Sequence, residues 1–149
     1  MPFNNILCVC TGNICRSPLA EGLLRQAFPR ATVASAGIAA VEGGRMPAEA
    51  EAIVIREELP LLDHRGRQIT APMVNAADVI LVMEQGQLEW VCNRFPQAKG
   101  RTFTLTHWES GTDIVDPYKK SQSFFEEVFD DIRHHTMQWA QRLGAMVSA

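Results

Sequence analysis

The sequence predicts a small α/β fold in which four parallel strands form a doubly wound sheet, and three observations carry that prediction. Strand-like and helix-like segments alternate along all 149 residues, with Gly or Pro between them, which is the pattern of βαβ construction. The run Val79 to Met83 is apolar at every position, as a strand covered by helices on both faces must be. The run Ile6 to Val9 leads through Thr11-Gly12-Asn13 directly into a helical pattern, a strand, tight loop and helix in succession. At 46% hydrophobic, a chain of 149 residues can bury a core without metal or disulfide support. No repeat or linker divides it, so residues 1–149 are read as one domain.

The elements follow in order. After the first strand, Ala20, Leu23, Leu24 and Ala27 recur at helical spacing, and Pro18 suits the first turn because that turn has no use for its missing N–H. Thr32 to Ala36 reads as the second strand, closed by Gly37, and Val41 to Pro47 as a loop. A second helix is expected with an apolar stripe on Ala48, Ala52, Ile55 and Leu59. Val79 to Met83 is the third strand; Leu88, Val91, Cys92 and Phe95 mark the helix after it, and Thr102 to Leu105 the fourth strand. Phe125, Val128, Ile132 and Trp139 form the seam of a long last helix, with Ser123 and Glu126 as its expected capping box. Right-handed crossovers then favour the strand order 2-1-3-4, with helices on both faces. Ligands of such sheets bind beyond the carboxyl ends of strands where the order switches, here after strand one.

Composition narrows the function. Fourteen Lys and Arg against seventeen Asp and Glu, without long blocks of one sign, give no electrostatic footprint for nucleic acid. No apolar run approaches the ~20 residues that span a bilayer, and Met1 to Asn5 lacks the character of a secretory signal, so a cytoplasmic protein without membrane insertion is expected. Three of the four cysteines, Cys8, Cys10 and Cys15, crowd beside the Gly-Asn turn. In a reducing compartment that clustering points to chemistry or metal binding rather than disulfides.

The segment Cys10-Thr11-Gly12-Asn13-Ile14-Cys15-Arg16-Ser17 places a cysteine and an arginine at the two ends of a loop between strand and helix. A phosphate dianion needs donors on three oxygens, and loop N–H groups at a helix N-terminus supply them with a favourable dipole. Arg16 adds a planar fork that grips two oxygens at once, which Lys cannot do. Gly12 permits close backbone approach, and Asn13 tolerates the left-handed conformation. The same field favours a thiolate at Cys10, the expected nucleophile, and Ser17 is placed to donate to it. Arginine and backbone do the work of a cation, so no metal or other cofactor is expected.

Val9 to Pro18, V-C-T-G-N-I-C-R-S-P, resembles the signature of the low-molecular-weight protein tyrosine phosphatases. Ser35-Ala36-Gly37, His64-Arg65-Gly66-Arg67-Gln68 and Asp116-Pro117-Tyr118 resemble further landmarks of that family in the same order, so the resemblance covers nearly the whole chain. It implies a phosphotyrosine hydrolase working through a cysteinyl-phosphate, with Asp116 as general acid and then base. A phenolate is a poor enough leaving group to require such an acid in any case. The resemblance further implies that Asn13, Ser17, Ser35 and His64 support the loop and that Tyr118 walls the pocket. Where the eukaryotic branch carries an aromatic residue after strand two, this chain reads Ile38-Ala39-Ala40-Val41. That resembles bacterial members linked to exopolysaccharide tyrosine kinases, and it makes Val41 the expected aliphatic contact. The partner so implied is a phosphotyrosine protein, a membrane-associated bacterial tyrosine kinase of exopolysaccharide or capsule export.

Other readings compete. A thioredoxin-coupled arsenate reductase resembles the same fold and loop, but reduction needs further thiols downstream and only Cys92 is there. A phosphotyrosine-binding module without catalysis has no need to keep Cys10, Arg16 and Asp116 together. A zinc site on Cys8, Cys10 and Cys15 lacks a fourth ligand at suitable spacing. Cys8 and Cys92 are expected as buried hydrophobes, and Trp108 as a roof over the core. His107, His134 and His135 show no metal spacing with the cysteines, and two adjacent helical residues do not share a face.

Overall fold

The computed structural model describes residues 4–148, with side chains through residue 144. Its sheet has four strands, β1 (Asn5–Cys10), β2 (Thr32–Gly37), β3 (Val79–Val82) and β4 (Thr102–Thr104), all parallel and in the order β2-β1-β3-β4. The helices are α1 (Arg16–Ala27), α2 (Ala48–Arg56), α3 (Ala71–Ala76), α4 (Gln85–Arg94) and α5 (Gln122–Ser148), with a 3-10 turn at Pro96–Ala98. The expected topology and the strand-loop-helix unit at the start are therefore present. Helix α3 was not foreseen: Pro72 inside a six-residue segment gives little periodicity to read.

The strands divide the interior because alternate side chains face opposite ways. From β1 and β3, Ile6, Cys8, Cys10, Val79 and Leu81 join Leu19, Leu23 and Leu24 of α1 and Phe125, Phe129 and Ile132 of α5. Leu7, Val9, Ile80 and Val82 face the other way, onto Val74 of α3 and Val91 of α4. All four β3 residues are buried, which accounts for their unbroken apolarity. Trimming one of the fully buried side chains, such as Leu19 or Leu24, to Ala costs about 2–5 kcal/mol. The packing holds the carboxyl end of β1 rigid, and the Cys10 loop starts there.

Several expectations need correction. Helix α2 buries Ala50 and Ile53 instead of Ala48, Ala52 and Ile55, and Ile55 is 75% exposed. The segment is apolar in both helical registers. The chain leaves the helix after Arg56 through Glu58 in a left-handed conformation, so Leu59 reaches the core from the following turn. The capping box of Ser123 and Glu126 does not form. Helix α5 starts earlier, with the Ser121 hydroxyl accepting the Phe124 N–H at 3.2 Å, while Glu126 pairs with Arg56 at 2.6 Å. Cys8 is fully buried as expected, but Cys92 is only partly buried, at the margin of the α4 face. Trp108 lies edge-on to Trp139, with ring centroids 5.1 Å apart, beneath the Arg142 guanidinium at 4.2 Å.

Candidate active site

Strand β1 ends at Cys10 and α1 begins at Arg16, so five residues must turn the chain from the sheet into the helix. Asn13 makes the turn at φ 60°, the left-handed conformation its short polar side chain tolerates. Among the described residues, the N–H groups of Gly12, Ile14 and Cys15 donate to no protein acceptor, while that of Asn13 points at Cys10 Sγ from 3.3 Å. A ring of free donors over a sulfur, at the start of a helix, is an oxyanion cradle.

The loop is fixed from below by a buried polar chain. Asn13 Oδ1 accepts the Arg67 N–H at 3.0 Å, which sets the orientation of the amide. Its Nδ2 then donates to both Ser17 Oγ and Ser35 Oγ, each at 2.9 Å. Because Ser17 Oγ already accepts from Asn13, its proton is free for Cys10 Sγ, 2.9 Å away. Ser35 Oγ donates its own hydrogen bond to Glu21 Oε1 at 2.5 Å, and Glu21 is paired with Arg25 at 2.5 Å. The His64 ring meets the Asn13 carbonyl at 2.7 Å. Asn13, Ser17, Ser35 and Glu21 are all buried, so every bond counts: an unpaired polar group there costs about 1–3 kcal/mol.

The outer wall is backbone. Ile38, Ala39 and Val41 donate N–H to the carbonyls of Cys10, Thr11 and Gly12 at 3.0 Å each, which straps the segment after β2 onto the loop. From the β3 side, Gln87 Nε2 reaches Thr11 Oγ1 at 3.1 Å, while its Oε1 takes the N–H groups of Met83 and Glu84. Arg16 is 2% exposed and aimed by one nitrogen, NH1, which binds Glu84 and the Ile114 carbonyl. NH2 is left toward the pocket, with Asp116 Oδ2 at 3.9 Å. Asp116 sits on the loop before α5, its Oδ1 accepting the Tyr118 N–H at 3.1 Å.

A pocket of about 220 Å³ results, with Cys10, Gly12, Asn13 and Arg16 at its floor, Ile14, Ala39 and Val41 on its wall, and Asp116 and Tyr118 at its rim. Every residue singled out in the sequence as nucleophile, arginine, acid or pocket wall meets here, and Ser35 and His64 stand directly behind. Glu21, Arg67, Glu84 and Gln87 were missed. Glu84 follows β3 at the carboxyl edge of the sheet, where ligands bind, and Glu21 lies one helical turn after Ser17; those were the available signals. Cys15 is buried in the same loop. Burial first, then the Asp116 carboxylate and Cys10, push its thiol up to about 12.

A thiol beneath free N–H donors, a guanidinium aimed by a carboxylate, and a second carboxylate at the rim define a phosphate-ester hydrolase that uses a cysteine. The comparisons with known proteins agree. Residues 5–149 match the model of the "Low molecular weight phosphotyrosine protein phosphatase" family. The tyrosine phosphatase Wzb of Salmonella typhimurium is 41% identical over 143 residues, 96% of each chain. The crystal structure of Wzb from Escherichia coli K30 with sulphate superposes with a TM-score of 0.89 at 36% identity, covering 95% of this chain and 99% of that one. The YwlE arginine phosphatase of Geobacillus stearothermophilus superposes with a TM-score of 0.88 at 34% identity, covering 97% and 95%. The chain belongs to the low-molecular-weight phosphotyrosine protein phosphatase family.

Proposed function

We propose that this protein hydrolyses phosphotyrosine on a protein through a cysteinyl-phosphate. The observation that carries the reading is the stacking of Cys10 Sγ, the free loop N–H groups and Asp116 along one pocket. With the phosphate in the loop, Cys10 Sγ attacks phosphorus opposite the tyrosyl oxygen. The S–P bond forms as the P–O bond breaks, and Asp116 gives its proton to the departing phenolate. Arg16 NH2 and the loop N–H groups follow the equatorial oxygens into the transition state. Asp116, now a carboxylate, takes a proton from water as that water attacks phosphorus. The S–P bond breaks, phosphate leaves, and the Ser17 hydroxyl stabilises the returning thiolate from 2.9 Å.

The neighbouring fold of an arginine phosphatase makes phosphoarginine the second reading. A guanidinium leaving group carries several N–H donors that need acceptors along the wall. Here Ile14, Ala39 and Val41 offer apolar surface, which suits an aryl ring. On the branch resemblance, the phosphoprotein is a membrane-associated bacterial tyrosine kinase of exopolysaccharide or capsule export. None of the described helices is long and apolar enough to cross a membrane, and we place the enzyme in the cytoplasm beside that kinase.

The test compares matched phosphotyrosine and phosphoarginine peptides and p-nitrophenyl phosphate. Phosphotyrosine turnover should exceed phosphoarginine turnover by at least a hundredfold, and Cys10→Ser should abolish it while still binding phosphate or vanadate. Equal turnover of the two peptides would overturn the substrate, and a Cys10→Ser enzyme within tenfold of wild type would overturn the mechanism.

A further inference from the structure

Away from the pocket, Glu109, His134 and His135 bring one carboxylate and two imidazoles together, with their ligand atoms all within 4.8 Å of one another. Adjacent helical residues diverge by about 100° around the axis, so His134 and His135 were not expected to act together. Glu109, on the turn after β4 closed by its N–H to the Thr106 carbonyl, lies over α5 between them. Its Oε1 is 2.9 Å from His134 Nε2 and its Oε2 is 3.8 Å from His135 Nδ1. The rings themselves meet edge to face at 4.9 Å.

The geometry points to a Zn²⁺-type divalent transition-metal site on Glu109, His134 Nε2 and His135 Nδ1, separate from the catalytic pocket. Ligand bonds of about 2.0–2.2 Å in a tetrahedron put neighbouring donors roughly 3.4 Å apart. The carboxylate meets the two imidazoles through different oxygens, Oε1 at 2.9 Å and Oε2 at 3.8 Å, and three donor atoms within 4.8 Å of one another reach that edge by small side-chain rotations. Two imidazole nitrogens and one carboxylate oxygen are the donor set that suits Zn²⁺ rather than Mg²⁺ or Ca²⁺. One ligand is already set in orientation: His135 is 5% exposed, and its Nε2 lies 3.3 Å from Asp131 Oδ1. Once Nδ1 has given up its proton, a carboxylate on the far nitrogen of the imidazole keeps the remaining proton there and leaves the near lone pair for the metal. Glu109 and His134 are roughly half exposed, so they have room to close on an ion. Gln138 bridges two of the ligands: its Oε1 accepts from His135 Nδ1–H at 3.2 Å, and its Nε2 donates to Glu109 Oε1 at 3.2 Å. The ion releases the His135 Nδ1 proton to solvent and takes the place of that bridge, with water as the fourth ligand. It staples the turn after β4 to α5.

Isothermal titration of the full chain, stripped with chelator, with ZnCl₂ tests this. The Cys10→Ser background keeps the active-site sulfur from competing as a ligand. One Zn²⁺ should bind per chain, with a rise in Tm as binding to the folded state requires. His134→Ala and Glu109→Gln should each weaken binding at least tenfold, and Co²⁺ in place of Zn²⁺ should show visible ligand-field bands that His134→Ala removes. Phosphatase activity of metal-free His134→Ala, with Cys10 intact, should equal that of wild type. The proposal is overturned if Cys10→Ser shows no saturable Zn²⁺ binding, or if both ligand substitutions leave the affinity within threefold.

Discussion

Arg16 NH2 and Asp116 Oδ2 face each other at 3.9 Å across the mouth of the pocket, one buried and the other exposed. Arg16 is buried and fixed through NH1 by Glu84 and the Ile114 carbonyl, whereas the Asp116 side chain is 53% exposed. On the proposed mechanism a bound phosphate takes over the Arg16 charge and leaves Asp116 to meet the leaving oxygen. Asp116→Asn keeps the shape and removes the proton. We expect turnover of phenyl or tyrosyl phosphate to fall about 10²–10⁴-fold, with a much smaller fall for aryl phosphates whose leaving groups need no protonation. The slope of rate against leaving-group pKa measures this. An equal fall for all leaving groups would mean that Asp116 only shapes its loop.

Asn13 holds the loop through four contacts, to Arg67, Ser17, Ser35 and His64. Asn13→Ala removes three of them and also places Ala where φ is 60°. The Ser17 hydroxyl then loses the donor that directs its proton at Cys10 Sγ. We expect kcat to fall about 10–100-fold, near 1.4–2.7 kcal/mol of transition-state stabilisation, with a smaller change in phosphate affinity. Ser17→Ala should reproduce part of the kcat loss and leave thermal stability closer to wild type.

Gly37, at the end of β2, tests the outer wall. A Cβ there would overlap the Thr11 carbonyl, and the strap from Ile38 to Val41 leaves that carbonyl nowhere to move without tilting the loop. Gly37→Ala should cost about 1–3 kcal/mol by overpacking and reduce kcat/KM at least tenfold. Gly86, with open space around it, is the control: Gly86→Ala should match wild type in activity.

How much of this was legible in the sequence depended on whether a residue's role was written locally. The strand-loop-helix at Cys10 to Pro18 and the apolar run of β3 announced themselves, since each is decided by neighbours along the chain. Asp116 and His64 were found only because their segments resemble a family; nothing near them in sequence distinguishes a turn aspartate or a loop histidine. Glu21, Glu84 and Gln87 were missed for a physical reason. Glu21 and Gln87 are ordinary helix-surface residues by composition and become buried only when α1 and α4 dock beside the loop, while Glu84, just before α4, meets Arg16 only because β3 pairs with β1. The α2 register failed in the same way, because packing chose between two apolar faces that the sequence left equal.

Cys15 bears on how the enzyme meets peroxide. A Cys10 thiolate that attacks hydrogen peroxide becomes a sulfenic acid with release of hydroxide, and goes on to irreversible forms unless another thiolate attacks the sulfenic sulfur and expels its OH as a second hydroxide, closing a disulfide. Cys15 shares the loop, whereas Cys8 is fully buried and separated from Cys10 by one extended residue, which sets their Cα atoms near the upper limit for a disulfide. We expect Cys15 to close the bond as its thiolate, and its thiol is pushed up to about 12, chiefly by burial. Near neutral pH Cys15 is then almost wholly protonated, and its ionised fraction rises with pH. Oxidation of Cys10 to its neutral sulfenic form removes one of the charges raising Cys15, but burial and Asp116 remain. Capture should therefore be slow near neutrality and faster in base. Wild-type enzyme treated with peroxide at pH 8.5 should regain several times more activity with dithiothreitol than enzyme treated to the same loss at pH 6.5. Cys15→Ser should regain little at either pH, and Cys8→Ser should follow wild type. Recovery independent of pH in the wild type, or full recovery in Cys15→Ser, would remove Cys15 from this role and leave it as a small residue packing the loop.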